Sequence, residues 1–149
     1  MLTRPTRLRF DSVERTDDEQ SEQFDIAVQI SYEERVFHGH CRGYINESNE
    51  LELAASAALQ AVQEFVEHYF ECQTLELDRV NTLGKELIVL LINVRFDGRE
   101  LQIFGSCRTT GNLLEASARA ALDATNRFVE LSLSGDERPS GSPFSHVEK

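Results

Sequence analysis

Two histidines and a cysteine stand together in His38-Gly39-His40-Cys41, where the chain's residue types come nearest to a reactive site. On a strand, positions 38 and 40 project to the same face, as two imidazole ligands of zinc or iron would. A third ligand would have to come from His68 or from a carboxylate across the fold, and no spacing marks either. Cys41 projects to the opposite face of its strand, so its neighbouring imidazoles are not placed to act as the base a thiol nucleophile needs. The expectation is a polar stretch on an exposed or interface sheet face, with metal ligation by His38 and His40 as the alternative.

The elements that position this stretch are organised by a repeat. Asn49 to Glu67, NELELAASAALQAVQEFVE, and Asn112 to Glu130, NLLEASARAALDATNRFVE, agree without gaps at 11 of 19 positions. Apolar spacing alone does not produce identities at that density, so the chain reads as an internal duplication. The repeat also bears on the histidines: the third strand of the second unit carries Phe104 and Ser106 where the first carries His38 and His40. Cys41 and Cys107 match as well, which suits small apolar residues packed under a helix.

Each repeat reads as β-β-β-α. In the first, Leu8 to Glu14 is a short strand followed by a polar link at 15–23. Ile26, Val28 and Ile30 then alternate with Ala27, Gln29 and Ser31, and Arg35 to Tyr44 returns with Phe37, Gly39 and Cys41 inward. Asn49 and Glu52 have capping-box spacing, and Leu51, Ala55, Ala58, Val62, Phe65, Val66 and Tyr69 form an apolar stripe on a helix reaching about Phe70.

In the second unit, Leu75 to Asn81 matches Leu8 to Glu14 at Leu75, Asp78 and Val80. Ile88, Leu90, Ile92, Val94 and Phe96 occupy one face of the next strand, and Leu87, Val89 and Leu91 make the other face apolar too. Asp97-Gly98 is a hairpin turn. Leu101, Ile103, Gly105 and Cys107 point inward, and Leu114, Ala118, Ala121, Leu122, Phe128 and Val129 line the last helix. Ala57 with Ala61, and Ala120 with Ala124, are small enough for close helix-helix approach, or to line a groove between the helices.

These patterns predict one α+β domain over residues 1–134, with repeats at 7–70 and 74–132, and a disordered tail at 135–149. The architecture would be two-layered and pseudo-two-fold, its two helices packed on one face of antiparallel sheet. Fifteen Lys and Arg against 26 Asp and Glu give a net charge of −11, which repels nucleic acid and anionic lipid. That charge also excludes the double-stranded RNA binding that a β-β-β-α order could suggest. Three cysteines without close spacing argue against a disulfide framework. With no secretory signal and no apolar run of bilayer length, a cytoplasmic protein is expected.

The second unit resembles the C-terminal regulatory, or dimerisation, domain of 2-isopropylmalate synthase and related citramalate synthases. That domain also has two β-β-β-α units, with a DGR turn, a glycine-rich third strand and a helix segment like IIEASAKAYLNALNR. The corresponding residues here are Asp97-Gly98-Arg99, Gly105 and NLLEASARAALDATNR from Asn112 to Arg127. The likeness covers roughly residues 7–132. The family's acid before the helix is Asn112 here, its second strand glycine is Cys107, and its glycine-rich link is reduced to Gly84. In the family, this domain binds an end-product amino acid and feeds back on a catalytic barrel. The resemblance implies a free-standing relative without that barrel or its chemistry.

Function is therefore expected to be non-catalytic: a regulatory or small-molecule-binding module that forms a homodimer and needs no cofactor. Candidate ligand residues are the loops before the helices, Asn46, Ser48 and Asn49 in one unit and Thr109, Thr110, Gly111 and Asn112 in the other. Free amides and the helix dipole there favour a small carboxylate, an amino acid by analogy. Leu87, Val89 and Leu91 are the candidate oligomer interface, where a protein partner could also bind. The alternative is a small enzyme or metal-binding protein with its site at the pseudo-two-fold interface.

Overall fold

The computed structural model describes residues 5–134. The order is β1 (Arg9–Asp18), β2 (Gln23–Tyr32), β3 (Arg35–Tyr44), α1 (Glu50–Val66), β4 (Glu71–Thr82), β5 (Lys85–Phe96), β6 (Arg99–Arg108) and α2 (Leu113–Leu133). Strands β1-β2-β3 form one antiparallel sheet, here sheet A, and β4-β5-β6 form sheet B. The expected α+β duplication is thus present, as two separate three-stranded sheets. Each helix packs on its own sheet and on the other helix, and reaches the first strand of the other unit: α1 touches β4 and α2 touches β1. This exchange is reciprocal, as a pseudo-two-fold requires.

Strand alternation builds the core. Ile26, Val28 and Ile30 in β2, and Ile88, Leu90, Ile92 and Val94 in β5, are fully buried under the helices. Each such side chain contributes about 1.5–3 kcal/mol by leaving water. Residues from both units join one hydrophobic cluster.

The helices do pack on each other, and the alanine pairs, read as serving helix-helix approach or a groove, have a further neighbour. They seat each helix on a strand glycine. A Cβ at Gly39 would lie 1.7 Å from the Ala57 carbonyl oxygen and 2.9 Å from the Ala61 nitrogen; one at Gly105 would lie 2.2 Å from the Ala120 carbonyl oxygen and 2.6 Å from the Ala124 Cβ. The helices also tie down the outer edges of β3 and β6. Gln60 accepts from the His40 amide at 3.1 Å, Glu64 from the His38 amide at 3.3 Å, and Asp123 from the Ser106 amide at 2.9 Å.

Three boundaries differ from expectation. The polar link expected at 15–23 is half strand: β1 continues to Asp18, paired along β2, so only a short turn is left before Gln23. Helix α1 stops at Val66 rather than near Phe70, because Glu67 takes a left-handed φ of 55°. The match of Leu75 with Leu8 is three residues out of register. Val13 faces Val28 and Leu77 faces Leu90, which makes Val13 the counterpart of Leu77 and Asp11 that of Leu75. Both first strands have a β-bulge at that place, between Phe10 and Ser12 and between Thr74 and Glu76. The tail at 135–149 lies outside the described residues.

Candidate functional site

The ladder registers align the outer faces of the two sheets residue by residue. Gly39 opposite Val28 corresponds to Gly105 opposite Leu90. From that anchor, Asp25, Ala27 and Gln29 in β2 correspond to Leu87, Val89 and Leu91 in β5. His38, His40 and Arg42 in β3 correspond to Phe104, Ser106 and Arg108 in β6.

On sheet A these positions form a polar network. Asp11 accepts from Gln29 Nε2 at 3.2 Å, Ser31 Oγ at 3.1 Å and Arg9 Nε at 2.9 Å. His38 Nε2 lies 3.1 Å from Gln29 Oε1. Burial pushes the Asp11 carboxyl upward, but hydrogen bonds from Gln29, Arg9 and Ser31 together outweigh it and hold the group below the ordinary aspartate value. Farther along, Arg42 grips Asp25 through two contacts of 2.9 and 3.0 Å.

On sheet B the same positions are apolar. Leu87, Val89 and Leu91 run along the middle, only partly buried. Phe104 is 69% exposed beside Leu91, and Leu75 and Val80 are 42% and 36% exposed on β4. No element of the described chain covers this face, since both helices lie against the opposite one. Exposed apolar patches of this continuity mark interaction surfaces.

The helix N-termini are occupied by local bonds. Asn49 Oδ1 accepts from the Leu51 and Glu52 amides at 2.9 and 3.3 Å, and Asn112 Oδ1 accepts from Glu115 at 3.0 Å. Ser48 Oγ accepts from the Tyr44 amide, Thr109 is bound to Glu86, and Asn46 and Gly111 turn the chain with φ of 74° and 118°. Thr110 lies in the bend of the loop between β6 and α2. Acidic Glu50, Glu52 and Glu115 fill the first helical turns, and Arg15 pairs with Glu50.

His38 and His40 do share the exposed face of β3, as the strand period requires. Among the described residues, no three His, Cys, Asp or Glu side chains are grouped to hold a metal ion. All three cysteines are free. Burial raises the thiol pKa at Cys41 and Cys107, and at Cys72 to about 12, opposite to the direction that would activate a nucleophile.

One feature has no counterpart in the sequence patterns: a groove of about 710 Å³ between α1 and the β4–β5 pair, lined by Gln63, Glu64, Glu67, His68, Gln73 and Arg95 among others. It opens where α1 ends at Val66, while α2 continues past the matching Val129 to Leu133. The only sequence signal is the divergence of the repeats after Glu67 and Glu130, HYF against LSL.

No family model and no curated protein matches the chain. No helix among the described residues is long and apolar enough to cross a membrane.

Proposed function

We propose that the chain is a non-catalytic regulatory or dimerisation module whose working surface is the outer face of sheet B, where a second copy binds. The observation that carries this is the row Leu87, Val89, Leu91 with Phe104, Leu75 and Val80 on a face the chain's own helices leave open. It agrees with the resemblance to the regulatory domain of 2-isopropylmalate synthase. The caps at Asn49 and Asn112 already claim amides that a small carboxylate would need, so self-association rather than ligand capture leads the proposal.

Size sets the expected strength. Three strands about 4.8 Å apart and some 3.3 Å per residue over the 12 residues of β5 make a face on the order of 500 Å². Stable interfaces bury about 800 Å² per partner, so a dissociation constant in the micromolar range is expected. Sedimentation should show concentration-dependent dimerisation, abolished by Leu91→Asp with the fold intact by circular dichroism. A wild-type chain that stays monomeric at tens of micromolar would remove the proposal.

A further inference from the structure

The rim of the sheet B face carries charges that are unmatched among the described residues. Arg42 on sheet A is neutralised by Asp25, but its counterpart Arg108 stands opposite Leu87 and has no ion-pair partner among the described residues. Across the sheet, exposed Glu76 and Asp78 on β4 flank the same apolar row, opposite Leu91 and Val89, and have none either. At one end, beyond Val80 and Leu87, the β4–β5 hairpin presents Leu83 at its tip. That leucine is 95% exposed and is held at a left-handed φ of 53°, a conformation bulky side chains disfavour.

Two sheet faces related by a two-fold axis pack with the axis in the plane between them, and aligned packing keeps the strands within about 30° of one line. Two arrangements meet that condition. With the axis across the strands, β4 lies over β4 of the second copy. Acidic rim then meets acidic rim, Glu76 over Glu76, in a chain of net charge −11; Arg108 comes over Glu100, a carboxylate already held by Arg95, and the two Leu83 tips sit at opposite ends. With the axis along the strands, β4 of each copy lies over β6 of the other. Asp78 then comes within a long side chain's reach of Arg108, two residues away along the strand, and both Leu83 tips fall at the same end, across the axis from each other.

We infer that the dimer takes the second form: the β5 strands of the two copies run in the same direction, crosswise Asp78–Arg108 pairs close both rims, and the Leu83 tips meet. This rests on sheet B being the self-association face. Nitroxide labels on Leu83→Cys, in the full chain with Cys41→Ala and Cys107→Ala, test it by pulsed electron resonance in the dimer. The expected separation is below about 25 Å. Tips at opposite ends of strands of 12 residues would lie about 40 Å apart, and that distance overturns the arrangement while leaving the dimer standing.

Charge reversal gives a second readout that leaves every native cysteine in place. Arg108→Glu and Asp78→Arg should each weaken association about fivefold, and the double variant should recover it. A double variant weaker than either single one also overturns the arrangement. A monomeric wild-type chain would instead remove the self-association itself.

Discussion

At matching positions on the outer faces of the two sheets, Asp11, Gln29 and His38 stand in one and Leu75, Leu91 and Phe104 in the other. The inner faces show no such divergence. Val28 and Leu90, the seat glycines Gly39 and Gly105, and the alanine pairs above them are shared in kind and place. The bulge in the first strand is retained although its residue changes from Asp11 to Leu75. Packing under a helix fixes size and polarity to within a methylene, whereas an open face is constrained only by its contacts. Sheet A uses its open face for bonds within the chain. Sheet B leaves leucines and a phenylalanine there with nothing among the described residues to cover them, and this difference is where function is to be sought.

The largest expected effect falls on what the units share. Gly39→Ala and Gly105→Ala should each destabilise the chain by about 3 kcal/mol or more, because the new methyl would meet backbone of α1 or α2 that cannot turn aside. Urea unfolding monitored by circular dichroism measures both. Similar losses uphold the equivalence of the two units. A tolerated Gly39→Ala beside an unfolded Gly105→Ala would break it.

The same division explains what was legible in the sequence. Buried positions announce themselves by period: Ile26, Val28 and Ile30 could be placed, as could Leu87, Val89 and Leu91 on an opposite and open face. The run from Arg15 to Asp18 gave no sign of strand because it is exposed and is held by its ladder to β2, not by burial. The three-residue slip of the first strand arose because Leu8, Asp11 and Val13 chance to match Leu75, Asp78 and Val80, while the true correspondence lies in backbone pairing. For the alanine pairs, smallness was readable but the neighbour was not, since a stripe of small residues fits a helix or a strand equally well. The groove beside α1 was invisible because the helix stops at Val66 with Glu67 rather than the glycine that commonly marks such an end.

Exchanging the faces tests the comparison directly, with a smaller effect on stability and a large one on assembly. Leu75→Asp, Leu91→Gln and Phe104→His together transplant the sheet A network onto sheet B. Light scattering should find this variant monomeric, with a stability within about 1 kcal/mol of wild type, since open-face substitutions remove little buried surface. The reverse exchange, Asp11→Leu, Gln29→Leu and His38→Phe, gives a chain two adhesive faces. Closed dimers should then give way to open-ended assemblies that grow with concentration. A reverse variant that remains dimeric would show that apolarity alone does not make the face adhesive.

The smallest effect concerns the network itself and appears only in acid. Folding lowers the Asp11 pKa, so its carboxylate contributes stability that is fully present above the unfolded-state value near 3.8 and is lost as pH falls through the still lower folded-state value. Asp11→Asn keeps the side chain's shape but cannot be ionised. Relative to wild type it should therefore be less stable at neutral pH, and the gap should narrow as pH drops below about 4, where the wild-type carboxylate takes up its proton. Leu75→Asn, at the matching bulge of sheet B, should produce no such convergence, because no carboxylate titrates there. Thermal melts across pH 2.5–7 measure both variants. A gap for Asp11→Asn that stays constant with pH would mean that Gln29, Ser31 and Arg9 do not hold the carboxylate as one network, and that the polarity of sheet A is solvation rather than structure.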